Sequence, residues 1–274
     1  MPDARPPLDG LLVVDFSTTR AELAGRVLAE LGAEVFKVEP PGGALARTMR
    51  PFDDSKAEDD PDRSLYWASV GGGKKSVVAD LEDPAARESL RGLLSRADIL
   101  IESFDPGEMA RLGLSYPDVA AMNPGIIYCS VTPYGQDGPD ALSPATDLSL
   151  EAAGGLLGLQ GDPDRPPVPV GYPQASFHGG VQAAADAIIA LNERERSGLG
   201  QHLDAGLQRV VGVGQDQRGL APVEQPREHH LELLVDQGEG LHEAVAGGAV
   251  DLLDRRLEEV DGLLQILLLG MQEV

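Results

Sequence analysis

The strongest constraint on this chain is an alternation, in which short apolar runs of strand length exchange with segments whose apolar residues recur at helical spacing. Leu11-Leu-Val-Val-Asp15 reads as a strand, and Ala21 to Leu31 as an amphipathic helix stopped by Gly32. Val35-Phe-Lys-Val38 begins a second strand, which Pro40-Pro-Gly-Gly43 ends. Ser76 to Asp80 is a third. Asp83 as N-cap and Pro84 as first residue then open a helix reaching Arg96. Ile99 to Ile101 and Ile126 to Val131 complete the strands, with a helical stretch at Asp118 to Met122 between them. Strands separated by helices pair in parallel through right-handed crossovers, so the expected class is an α/β sheet. Ligands of such sheets gather at the carboxyl ends of the strands. Here those ends are Asp15-Phe-Ser17, Glu39-Pro-Pro41 and Glu102-Ser-Phe104.

Later in the chain the pattern changes. Pro133 to Gly171 is dense in Gly and Pro, a connecting or site-forming stretch with one helical piece near Asp147 to Ala153. Val181 to Arg196 reads as an Ala-rich helix. All eleven aromatic residues lie at or before Phe177, and all four lysines at or before Lys75. From Gln208 onward there are 13 acidic and 5 basic residues and no aromatic. Leu253, Leu257, Val260, Leu264 and Leu267 follow a spacing that forms an amphipathic helix if that stretch folds.

The acidic balance, 45 acidic residues against 22 basic for a net charge of −23, excludes a general nucleic-acid binder. Cys129 is the single cysteine, which excludes a disulfide framework or a Cys-based zinc site and suits a reducing cytoplasm. Its place in a strand makes it an inert core thiol. The five histidines form no metal-ligand spacing, and no metal is expected. The longest apolar run, Ala187 to Leu191, is five residues, and the first residues carry no apolar signal region, so a cytoplasmic protein without membrane contact is expected. Gly71-Gly-Gly-Lys-Lys-Ser76 is not a Walker loop, because a second lysine precedes the serine. Two lysines beside three glycines could hold a phosphate, and on residues alone a solvated turn is the plainer alternative. Ser176 and His178 lie two apart in a Gly-bounded segment without the nucleophile-elbow pattern, and ordinary loop polarity explains them better.

As connected text, residues 8 to about 207 resemble the family III CoA-transferases, the group that includes L-carnitine dehydratase and bile-acid-inducible protein F. The stretches that carry the likeness are LDGLLVVDFS, LAGRVLAELGAEVFKVEPPGG, GGKKSVVADLEDP, ADILIESFDPGEMARLGLSY, NPGIIYCSVTPYGQDGP and GLGQHLDAG. Their order and spacing make the match specific. The resemblance implies a Rossmann-like large domain, interlocked chains, and transfer of CoA between carboxylic acids through an aspartyl anhydride and thioester. CoA and acyl-CoA would be substrates, with no tightly bound cofactor. By the same motif Lys74 and Lys75 would meet the CoA nucleotide, and Ser103, Phe104, Arg111 and Leu112 the pantetheine.

Three departures qualify that expectation. Glu102-Ser103-Phe104-Asp105 stands for the family's Glu-Asn-Phe-Arg/His, which adds a negative charge beside a polyanionic ligand. In Val170-Gly-Tyr-Pro-Gln-Ala-Ser176 the serine occupies the position of the nucleophilic aspartate. A serine forms an ester but not an exchangeable anhydride. The related acyl-CoA racemases place a histidine before the Asp of Asp147-Leu148, where this chain has Thr146, which disfavours that activity. Some family enzymes are hetero-oligomers in which one subunit lacks the aspartate, so the expected partner is an Asp-bearing subunit, with a homodimer as the alternative. Residues 1–207 are expected to be the family's N-terminal region and 208–274 a divergent helical or aberrant tail, in a chain shorter than the family's usual length. A non-catalytic CoA-binding or assembly protein, or a truncated inactive product, are the rival expectations.

Overall fold

The computed structural model describes residues 5–162 and 164–212. The chain divides into two units, 1–215 and 216–274, and the described residues all fall in the first. The tail helix expected around Leu253 to Leu267 lies outside the described residues.

The elements in order are β1 (Leu12–Phe16), α1 (Glu22–Glu30), β2 (Glu34–Glu39), α2 (Leu65–Gly71), β3 (Lys75–Val78), α3 (Pro84–Leu94) and β4 (Ile99–Glu102). They continue with α4 (Glu108–Arg111), α5 (Tyr116–Met122), β5 (Ile127–Thr132), α6 (Asp147–Gly154), α7 (Gln174–Ser197), β6 (Gln201–Gly206) and α8 (Leu207–Val210). The strands form one sheet in the order β3-β2-β1-β4-β5-β6, every pair parallel. This is the expected Rossmann-like α/β arrangement. The strand order reverses between β1 and β4, the switch point where crossovers leave a crevice.

Alternation along the strands assigns the two faces. Val14, Phe16, Val38, Leu100 and Tyr128 pack with Leu90 and Leu94 of α3, Met109 of α4 and Val119 of α5 in one buried cluster. On the opposite face α1 packs against α2 and α7, and α7 against β5 and β6. Cys129 is fully buried in β5, and burial pushes its thiol well above the ordinary range. Asp83 caps α3 as expected, its Oδ1 accepting the Ala85 N–H at 3.0 Å ahead of Pro84. Among the described residues no helix is long and apolar enough to cross a membrane.

Among the elements that depart from expectation, α7 and β6 bear most on the site. Helix α7 begins at Gln174, two turns before Val181, because Gly179 and Gly180 inside it serve close packing rather than termination. A Cβ on Gly180 would stand 3.0 Å from Leu23 Cβ and 3.2 Å from the Ala24 nitrogen of α1. Strand β6 was not legible from its composition. Only half of each pleat is covered along Gln201–Asp204, and pairing with β5 rather than apolar content makes it a strand.

Candidate active site

A cavity of about 220 Å³ opens at the carboxyl edge of the sheet. Thr19 and Arg20 reach it from the loop after β1, Pro133 from the end of β5, and Leu207 from the end of β6. Thr146, Asp147, Pro173 and Ser176 line it from α6 and α7 and their entry residues.

Ser176 sits in the first turn of α7, whose N-cap, Pro173, offers no side-chain acceptor. The first N–H groups of a helix lack partners within it. Asp147 supplies them from α6. Its Oδ1 accepts the Ser176 N–H at 2.9 Å and the Ser176 hydroxyl at 3.0 Å, and its Oδ2 accepts the Ala175 N–H at 3.2 Å. Asp147 itself opens α6, where Thr146 is the N-cap in a capping box with Ser149. Thr146 thus has a helix-capping role. Glu151, one turn along α6, is buried, and burial with the adjacent Asp147 pushes its carboxyl upward. Behind Ser176, Phe177 stacks on Tyr66 at 6.1 Å and on Tyr172 at 6.5 Å between ring centres. His178 is exposed, and the hydrogen-bond partner of the Ser176 hydroxyl is Asp147.

The other expected residues divide by burial. The Lys74 ammonium is buried, 2.8 Å from Asp15 Oδ2, and donates to the Glu22 carbonyl at 2.6 Å. Lys37, equally buried, lies 3.5 Å from Asp15 and 3.8 Å from Glu22 and donates to the Ser17 carbonyl. Two lysines and two carboxylates therefore form a neutral interior cluster. Burial raises the Asp15 carboxyl, but Lys37 and Lys74 outweigh it and hold the group at about 2. Burial leaves Glu22 raised and Lys74 lowered despite these partners. Lys75 is exposed and pairs with Glu34.

Ser103 is fully buried, its oxygen accepting the Thr18 N–H at 2.7 Å and meeting the Thr18 hydroxyl at 2.9 Å, so it joins the ends of β1 and β4. Leu112 is buried in the sheet–helix core, and Phe104 packs on the same cluster half-exposed. Arg111 is exposed and paired with Glu82 at 2.5 Å and Glu108 at 2.7 Å. Ser103, Phe104, Arg111 and Leu112 thus come together around the β4–α4 turn, whereas Lys74 and Ser176 lie elsewhere.

Three residues of this edge have roles that local sequence did not reveal. Arg20 donates to Asp105 at 2.7 Å and to the Ser103 carbonyl at 3.4 Å, so the added negative charge of Asp105 meets a cation. Asp147 stands 29 positions before Ser176, and only the tertiary fold joins them. Glu102, buried at the end of β4, accepts the Phe104 N–H at 2.9 Å. Burial pushes its carboxyl up to about 7, although the Ser130 hydroxyl and the Phe104 N–H favour the anion. The same Ser130 hydroxyl meets His202 Nε2 at 2.9 Å, and His202 stacks on Tyr116 at 5.2 Å.

The profile of CoA-transferase family III matches residues 8–230. The succinate–glutarate CoA-transferase of Agrobacterium fabrum is 36% identical over 209 residues, 76% of this chain and 52% of that protein. The succinyl-CoA–L-malate CoA-transferase beta subunit of Chloroflexus aurantiacus is 35% identical over 207 residues, 75% of this chain and 50% of that protein. A solved CAIB/BAIF family protein from Brucella suis superposes with a TM-score of 0.71 at 32% identity, covering 89% of this chain and 59% of the other. The chain spans about half the length of the curated relatives it matches. With its profile match extending over most of the sequence, the chain belongs to CoA-transferase family III.

Proposed function

We propose that this chain is a CoA-transferase subunit that binds an acyl-CoA and works with an aspartate-bearing partner subunit to move CoA between carboxylic acids. The observation that carries the reading is Ser176, held by Asp147 in the wall of the cavity; the family resemblance is what assigns it the place of the nucleophilic aspartate. The chemistry requires a carboxylate that becomes an anhydride and then a thioester. An alcohol in its place yields an ester, which a carboxylate cannot reopen in the same way. A relative named as a beta subunit shows that multi-subunit members occur at this level of similarity.

In this reading the turn of Ser103 and Phe104 and the neighbouring Arg111 and Leu112 receive the pantetheine. Lys75, exposed beside Lys74, meets the nucleotide phosphates, and Lys74 shapes that segment from within the interior cluster. The global charge of −23 opposes an anionic ligand, so local cations must outweigh it over a few ångströms.

The test mixes the purified chain with an aspartate-bearing family III subunit and follows label exchange between CoA and a carboxylic acid. Exchange is expected only in the mixture. Exchange by this chain alone, abolished by Ser176→Ala, would overturn the reading. CoA binding by calorimetry without exchange in any mixture would support a CoA-binding assembly role instead.

A further inference from the structure

We infer that Glu102 is a positioning residue for the β4–α4 turn, and that Ser130 and His202 connect it to solvent as a proton path. The charge this path sets on Glu102 governs how firmly the turn grips acyl-CoA. The inference rests on the proposed reading of that turn as the place where pantetheine is received.

Geometry is the first argument. Parallel pairing sets Glu102 of β4 opposite Ser130 of β5, and β6 follows β5 at the edge of the sheet. The Ser130 oxygen lies 2.9 Å from His202 Nε2, and its hydroxyl also hydrogen-bonds the Glu102 carboxylate. Glu102 and Ser130 are buried, whereas His202 is exposed on β6. On its other side Glu102 Oε2 accepts the Phe104 N–H at 2.9 Å, within the turn itself. A carboxyl, a hydroxyl and an imidazole thus run in one row from the turn to the surface.

Charge makes the row responsive. Glu102 has no salt-bridge partner among the described residues, and Arg20, which favours its anion, is held by Asp105 at 2.7 Å. Asp204 of β6 opposes the anion. From β5, Tyr128 gives its hydroxyl to the Leu114 carbonyl, and burial keeps both that phenol and the Cys129 thiol neutral. His202 faces Asp204 and Asp137, which favour its cation, yet partial burial of the ring holds it below its ordinary range. A buried carboxyl with neutral donors and no paired cation gains and loses its proton near neutrality.

The proton steps balance. With Glu102 anionic, Ser130 donates to it and accepts the His202 Nε2–H. When water delivers a proton to His202 Nδ1, Nε2 passes its own to the Ser130 oxygen, and Ser130 passes its own to Glu102. Imidazole and hydroxyl end neutral, and Glu102 alone has gained a proton. The Phe104 N–H then meets a neutral acceptor, and a hydrogen bond to a charged one is roughly twice as strong. The anion holds the turn, and the acid loosens it.

The experiment measures CoA affinity of the full chain by calorimetry over pH 6 to 9, for the parent, Glu102→Gln and His202→Phe. NMR follows the Phe104 amide of each ligand-free protein over the same range. Comparison with Glu102→Gln cancels the titration of CoA's own phosphates. From pH 6 to 9 the parent is expected to gain roughly fivefold more affinity than Glu102→Gln, the difference between a charged and a neutral hydrogen bond. The parent's Phe104 amide should shift across this range, and that of Glu102→Gln should not. His202→Phe keeps a ring on Tyr116 but removes both nitrogens, so both transitions should move to higher pH as Ser130 donates less strongly to the anion. An equal gain in parent and Glu102→Gln, a Phe104 amide indifferent to pH, or unmoved transitions in His202→Phe would each overturn the inference. A chain that binds CoA with the same pH response as Glu102→Gln loses this inference and keeps the transferase reading. A chain that ignores CoA while its Phe104 amide titrates through Glu102 keeps the proton path and loses the transferase reading.

Discussion

The carboxylate of Asp147 holds both the backbone and the hydroxyl of Ser176, at 2.9 and 3.0 Å on a single oxygen, and with Ala175 it terminates the free N–H row of α7. Two consequences separate by magnitude. Asp147→Ala leaves the first turn of α7 uncapped and should cost about 1–2 kcal/mol in urea denaturation. Ser176→Ala keeps the backbone bond and should cost under about 1 kcal/mol. If the serine variant proves the more destabilised, the cap assignment is wrong.

The raised carboxyl of Glu102 makes stability depend on pH with a definite sign. Its folded value of about 7 lies above the ordinary 4.5, so the folded state holds this proton more tightly than the unfolded chain. Its contribution is fully present below about 4.5, declines as pH rises to 7, and is flat above, with a span of roughly 3 kcal/mol at most. Asp15 and Glu39, held at about 2, act in the opposite sense, stabilising above their ordinary values and losing that effect as pH falls toward 2. Between pH 5 and 8 only Glu102 of these three titrates. Glu102→Gln should therefore gain about 2 kcal/mol on the parent at pH 8 compared with pH 5, measured by urea unfolding at both. An equal difference at the two pH values would refute the assignment.

The adjacent lysines should behave unlike one another. Lys74→Ala strands Asp15 and Glu22 with one cation between them and should cost about 3 kcal/mol or more. Lys75→Ala removes an exposed pair with Glu34 and should cost less than about 1 kcal/mol. Lys75→Glu is consequently the informative charge reversal for CoA affinity, and it is expected to weaken binding while the thermal midpoint stays near that of the parent. Unchanged CoA affinity would remove Lys75 from the nucleotide contact.

Glycines offer a paired test of packing. A Cβ on Gly200 would overlap the Ile126 carbonyl, a backbone atom that cannot swing aside, so Gly200→Ala should cost about 2–3 kcal/mol. Gly92 lies on the exposed side of α3 with nothing near its would-be Cβ, and Gly92→Ala should stabilise by about 0.5–1 kcal/mol. Thermal melts of the two variants should move in opposite directions.

The parallel sheet was legible because its central strands carry unbroken apolar runs, Leu11–Val14, Ile99–Ile101 and Ile126–Cys129, the mark of strands covered on both faces. Val13, Val14, Ile99, Leu100, Ile101 and Ile127 are all fully buried, and each falls in a strand read from sequence or at its border. The first turns of α7 were hidden because Ser176, Gly179 and Gly180 have poor intrinsic helix propensity, and it is Asp147 and the close approach of α1 that make them helical. The site was legible only where a motif named it. Sequence placed Lys74 and Lys75 side by side, but which of them faces inward depends on Asp15, which arrives from another strand. Arg20 carried no local signal, since its partner Asp105 lies 85 residues away.

The interior cluster of Asp15, Glu22, Lys37 and Lys74 also ties distant stretches of the chain to one another. Its carboxylates come from β1 and the start of α1, its first lysine from β2, and its second from the residue before β3, past the whole α2 region. Without Lys74 the two buried carboxylates would share one cation, so the dry contact of α1 with the first two strands depends on a residue 52 positions beyond Glu22. The start of β3 is therefore part of what holds α1 to the sheet, although the two do not pair directly.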